Sequence, residues 1–122
     1  MGTTAAARIA LGRYGEDVAE RYLRDQGMVL LDRNWRCREG ELDLVLREGN
    51  VLVVCEVKAR RGSSAGTPHE AVDATKLERL GRLAERWATE HRLRPPGIRI
   101  DLVAVERGDR GAARIDHVRG LL

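Results

Sequence analysis

The chain has 122 residues, 34% of them charged and 43% hydrophobic, with a formal net charge of +3. That length suits a single domain spanning residues 1–122 that buries a core without disulfides or a structural metal, and the mixture excludes a disordered chain. So mild a charge permits nucleic-acid binding without requiring it, because attraction to phosphate depends on how the basic groups cluster.

The first stretch, from about Thr4 to Gln26, has helical spacing, with Leu11, Tyr14, Val18 and Tyr22 on one stripe and Gly27 suited to a C-terminal cap. Gly12 and Gly15 interrupt it, so the firm helix is expected from near Arg13. Glu16 lies beside the stripe. It either pairs with a neighbour such as Arg13, as Glu20 would with Arg24, or presents one helical acid to an active face.

Met28 to Arg33 reads as a strand, and Asn34 to Gly40 as a polar turn into a second strand, Gly40 to Leu46. A Glu48-Gly49-Asn50 turn leads to Val51–Ala59, whose β-branched run is the strongest strand signal in the chain. It should be central and buried, which makes Glu56 and Lys58 costly there unless they pair or bind something. Residues 60 to 67, RRGSSAGT, form either a flexible connection or a phosphate-contacting loop headed by Arg60 and Arg61.

Thr67, Pro68 and Glu70 have the pattern of a helix start, with an N-cap, a proline at the first helical position and a capping-box acid. Ala74, Leu77, Leu80, Ala84, Trp87 and Ala88 mark the apolar face of that helix, and Pro95-Pro96 should stop it. Its other face carries Lys76, Arg79, Arg82 and Arg86, either solvated and paired or facing DNA. Ile98–Val105 and Ala112–Val118 are the last strand candidates. Asp101, inside the first of them, is a buried-acid candidate with Arg99 or Arg114 as partner.

No run approaches the ~20 apolar residues of a membrane span, and the N-terminus lacks the pattern of a secretory signal. Cys37 and Cys55 form no metal or disulfide motif, so reduced thiols and a cytoplasmic location are expected. Of the 22 basic residues only Lys58 and Lys76 are lysine. In a chain whose coding favours arginine, a retained lysine points to a place where a compact ammonium cannot give way to a broad guanidinium.

The chemistry concentrates in Gly40–Arg60. Strand alternation puts Glu41 and Asp43 on one face, and Glu56 and Lys58 on one face. Two carboxylates on neighbouring strands can converge on a hard divalent cation, which prefers oxygen ligands and retains waters for substrate phosphate. Such a cation activates water and polarises a phosphodiester, with Lys58 placed to offset the developing charge. A cross-strand ion pair on a half-exposed hairpin would use the same residues without any chemistry.

Gly12, Gly15, Glu16 and Ala19, then Arg33-Asn34, Gly40-Glu41-Leu42-Asp43, Glu56-Val57-Lys58 with Arg60, then Lys76, and Arg99 with Asp101 together resemble the YraN-like family of small bacterial proteins. That family is similar to Holliday-junction resolvases and to the restriction-endonuclease-like, PD-(D/E)XK, nucleases. The resemblance covers about residues 12–105. It implies an α/β restriction-endonuclease-like core of order α-β-β-β-α-β, with a central mixed sheet flanked by helices. It further implies Mg²⁺ or Mn²⁺ at Asp43 and Glu56, Lys58 as the catalytic lysine and Glu16 as an additional acid. Glu41 matches the family pattern without a role attached.

The expected function is therefore a metal-dependent DNA endonuclease, with branched DNA a candidate substrate, a homodimer a plausible assembly and no membrane partner. Arg60, Arg61 and Lys76 are the nucleic-acid-binding candidates. The alternative is a catalytically inactive nucleic-acid-binding protein of the same fold. Leu42 stands where the wider superfamily often has proline, and Val54-Cys55 where Phe-Val is commoner; neither removes a proposed ligand.

Overall fold

Thr4 begins the first helix by accepting a hydrogen bond from the Ala7 amide at 3.0 Å, which satisfies one of the helix's otherwise unpaired N–H groups. In the computed structural model, which describes residues 4–62 and 72–121, helix α1 runs unbroken through Ala5–Asp25. The expected loosening before Arg13 does not occur. Gly15 has a packing role instead: a Cβ there would lie 2.5 Å from Ala59 Cβ, so its absence lets the helix sit directly on the sheet. Gly15, Ala19 and Leu23 form the buried stripe, and the wider Leu11, Tyr14, Val18 and Tyr22 stripe is half-buried. Gly27, at φ +95°, ends the helix as expected.

Five strands follow the order β1 (Val29–Cys37), β2 (Gly40–Glu48), β3 (Val51–Arg61), β4 (Gly97–Arg107) and β5 (Arg114–Val118), with α2 (Ala74–Glu90) between β3 and β4. They form one mixed sheet in which β3 and β4 are parallel and the other neighbours antiparallel. Leu52, Val54 and Ile100 pack on one face with Leu80, Leu83, Ala84, Trp87 and Ala88 of α2. Val53, Cys55, Val103 and Val105 pack on the other with Ala19 and Leu23 of α1. The strand alternation of β3 and β4 thus feeds two apolar layers, one under each helix.

β1 extends through Asn34, Trp35, Arg36 and Cys37, where a polar turn was expected. The described helix α2 starts at Ala74 with Asp73 as its cap; the capping-box residues Thr67 to Glu70 lie outside the described residues. It also stops before Pro95. Arg92 takes φ +56° and the Leu93 amide donates back to the Ala88 carbonyl at 2.8 Å, so the chain leaves the helix through a left-handed residue. Among the described residues, no helix is long and apolar enough to cross a membrane.

Candidate functional site

The site arises where β1 and β2 stop being regular. On β2, Leu44 and Leu46 pack beneath α1, while Leu42 and Val45 pack beneath α2. Strict alternation forbids that order, so the strand changes face across Asp43. On β1, Arg33 is paired with Leu44 and Trp35 with Leu42, and between them Asn34 adopts φ +55°. The two irregular positions, Asn34 and Asp43, therefore sit opposite each other.

β2 also parts from β3 here. Their pairing begins at Leu44 with Cys55 and runs only toward the Glu48–Val51 turn, whereas β3 stays paired with β4 as far as Arg61. The Val57 amide, which has no β2 carbonyl to meet, donates to Asp43 Oδ2 at 2.9 Å. A carboxylate thus completes the edge that the backbone leaves open.

Carboxylates converge on this gap from three elements. Oxygens of Glu16 on α1 and of Glu41 and Asp43 on β2 lie within 4.8 Å of one another. Glu56 on β3 shares a cleft of about 280 Å³ with Glu41, Asp43, Lys76 and Arg79. Cations meet three of the four acids from outside: Arg33 lies 3.4 Å from Glu16, Arg36 2.9 Å from Glu41, and Lys76 2.9 Å from Glu56. Asp43 receives only the Val57 amide among the described residues. Burial and the Glu56 charge raise its carboxyl to about 7, with Glu16 and Glu41 adding to the rise and the Val57 hydrogen bond opposing it.

Four oxygen-bearing acids, of which Asp43 has no ion-pair partner among the described residues, suit a small, hard divalent cation. Glu16, Glu41 and Asp43 would hold it, with Glu56 at the side of the same cleft. Softer metals that favour sulfur or imidazole find no such ligands in this group.

Of the residues singled out from the sequence, Glu16, Asp43, Glu56 and Lys76 come together. Glu16 meets Arg33 rather than Arg13, while Glu20 does pair with Arg24, at 3.2 Å. Lys58 is exposed and borders a neighbouring groove with Arg8, Arg60 and Arg61, between the start of α1 and the end of β3. It does not line the acidic cleft, where Glu56 has Lys76 beside it. Glu41 is the ligand candidate to which the sequence attached no role, although its place two residues before Asp43 was the available signal.

Asp101 belongs to a second, structural cluster. It is fully buried and accepts hydrogen bonds from Arg99 Nε at 2.8 Å and Nη2 at 3.1 Å, and from the Gly120 amide at 3.0 Å. His117 Nε2 lies 2.8 Å from Asp101 Oδ2, the oxygen that Arg99 Nη2 also meets, and His117 Nδ1 lies 3.1 Å from the Tyr22 hydroxyl. Burial alone would raise the Asp101 carboxyl, but bonding from His117, Arg99 and Gly120 outweighs it and holds the group down at about 2. Arg99 is the partner, and Arg114 faces Asp116 at 3.9 Å.

Residues 15–105 match the family described as "Uncharacterised protein family UPF0102". A UPF0102 protein of Nocardioides sp. (strain ATCC BAA-499 / JS614) is 58% identical over 123 residues, covering 99% of each chain. One from Streptomyces coelicolor is 55% identical over 122 residues, covering 98% of this chain and 94% of its own. One from Frankia alni is 54% identical over 114 residues, covering 93% and 95%. With that agreement spanning nearly its full length, the chain belongs to the UPF0102, YraN-like, family.

Proposed function

We propose that the protein is a metal-dependent nuclease that hydrolyses phosphodiester bonds in DNA. The observation that carries this reading is the convergence of Glu16, Glu41 and Asp43 within 4.8 Å, beside Glu56. The order α1, β1, β2, β3, α2, β4 is what a restriction-endonuclease-like plan calls for, which supports the reading.

In this proposal Glu16, Glu41 and Asp43 would hold Mg²⁺ or Mn²⁺, with Glu56 a further oxygen donor at the side of the same cleft. A divalent cation there supplies Lewis-acid chemistry, polarising the scissile phosphate and acidifying the attacking water. The Val57 amide fixes the Asp43 carboxylate, and the Glu16 carboxylate is steadied by Arg33. Lys58, exposed on β3 in the adjoining groove, would have to turn toward the cleft to offset charge on the scissile phosphate, as the catalytic-lysine role requires. Arg60 and Arg61, in the groove beside Lys58, take the flanking backbone. A homodimer would present two such sites to a branched junction, and the reduced thiols suit a cytoplasmic enzyme.

One observation favours a second reading, a nucleic-acid-binding protein without turnover: Lys58 lines the basic groove rather than the acidic cleft. Incubation with branched and linear DNA, with and without Mg²⁺ or Mn²⁺, separates the two. Metal-dependent cleavage that disappears in Asp43→Ala and Glu56→Ala supports the nuclease. Cleavage that survives both substitutions points to a contaminant and overturns it. Salt-sensitive binding without cleavage under any metal leaves the binding protein.

A further inference from the structure

Both lysines of this arginine-rich chain stand beside the proposed site, and they stand differently. Lys58 is exposed in the basic groove. Lys76, in the first turn of α2, reaches into the acidic cleft and places its ammonium 2.9 Å from Glu56 Oε1. Glu56 is well covered there, its side chain 14% exposed, while Lys76 is 37% exposed at the mouth.

We propose that Lys76 is a displaceable counter-cation: it holds Glu56 when no metal is bound, competes with the divalent ion for that carboxylate, and swings outward when the ion enters. The inference rests on the metal-site reading above and adds to it a residue that sets metal affinity.

Charge balance carries the argument. Four carboxylates, Glu16, Glu41, Asp43 and Glu56, already have four cations about them among the described residues: Arg33, Arg36 and Lys76 in ion pairs, and the exposed Arg79 lining the same cleft. An entering divalent ion therefore adds positive charge to a cluster whose acids are already matched by cations, and release of one of those cations relieves the excess. Arg33 is poorly placed to leave, because Asp17 and Glu20 also hold it, at 2.8 and 3.1 Å. Arg36 is 76% exposed, so its pairing with Glu41 is largely screened by water and its departure would change little. Lys76 is the cation whose charge bears on a covered carboxylate and whose flexible four-carbon stem can carry it out of the cleft. Displaced toward the mouth, its ammonium lies where an entering phosphate would meet it.

Two measurements on the full chain test this. In calorimetric titration with Mn²⁺, Lys76→Met is expected to bind about ten-fold more tightly than the wild type, because a competing positive charge is gone from the cleft. Lys76→Arg, which keeps the charge, is expected to stay within about three-fold of the wild type. In the wild-type protein, acylation of Lys76 by a soluble amine-reactive ester, located by peptide mapping, is expected to speed up several-fold on adding Mn²⁺. Mn²⁺ binding by the wild type with equal or weaker binding by folded Lys76→Met overturns the counter-cation role and leaves the metal site standing. Unchanged Lys76 acylation at saturating Mn²⁺ overturns it too, without depending on any variant's folding. No Mn²⁺ binding by wild type or variant overturns both this inference and the metal-site reading.

Discussion

Gly15 of α1 approaches Ala59 of β3 so closely that a methyl group on the glycine would sit 2.5 Å from the Ala59 Cβ. The next residue along the helix is Glu16, one of the three acids that meet at the strand gap. Gly15→Ala is expected to push the helix off the sheet and to cost about 1–3 kcal/mol, read from urea denaturation. Because the push also withdraws Glu16 from Asp43, Mn²⁺ affinity should fall in the same variant. A variant with wild-type stability and wild-type Mn²⁺ binding would show that the contact positions nothing.

Asp43→Asn removes a negative charge that burial and three acidic neighbours disfavour. The metal-free variant is expected to gain about 2 kcal/mol at pH 8, a figure reduced for the partial exposure of the carboxylate. Mn²⁺ should stabilise the wild type and leave the variant unmoved. Urea midpoints at pH 8 with and without Mn²⁺ give both answers, and a less stable variant would contradict the charge argument.

The pH dependence of stability has two limbs of opposite origin. The Asp43 carboxyl lies near 7 when folded, above its unfolded value of about 4. Its contribution is therefore fully present below about pH 4 and is lost as pH rises through 7. The Asp101 carboxyl lies near 2 when folded, below that same unfolded value. Its contribution is present above about pH 4 and is lost as pH falls through 2. Metal-free protein should thus lose stability between about pH 4 and 7, and Asp43→Asn should flatten that limb while leaving the acid limb in place. Urea series across pH 2 to 8 on both proteins check this.

Asp101→Leu strips the partner from Arg99, His117 and the Gly120 amide at once. A loss of about 3–5 kcal/mol is expected, as for other buried ion pairs broken on one side. Hydrogen exchange should accelerate first at Gly120 and Leu121, since the Leu121 amide bond to the Ile100 carbonyl lies beside the lost carboxylate. Uniform acceleration across the chain would mean that Asp101 supports the whole sheet rather than its C-terminal segment.

What could be read from the sequence was set by periodicity and by composition. The β-branched run of β3 and the three-and-four spacing of α2 announced themselves because burial on a sheet or under a helix imposes those periods. Lysine scarcity pointed at Lys58 and Lys76, and Lys76 does stand against Glu56. Other features had no local signal. Gly15 looked like a helix breaker because its reason, Ala59, lies 44 positions away in the sequence. Asn34 to Cys37 looked like a turn because they are polar, yet they form the last part of β1. The separation of Glu56 and Lys58 into two neighbouring hollows was hidden because alternation assumes a flat strand. Real strands twist.

The left-handed turn of backbone at Asn34 has a consequence beyond the cleft. β1 is the outermost strand on its side of the sheet, and an unpaired outer strand invites another chain to dock along it and begin an aggregate. A shift in pairing between Leu30 and Asp32, followed by φ +55° at Asn34, breaks the even row of donors and acceptors that such docking needs. The kink that lies opposite Asp43 therefore also makes this border a poor template for fibre growth.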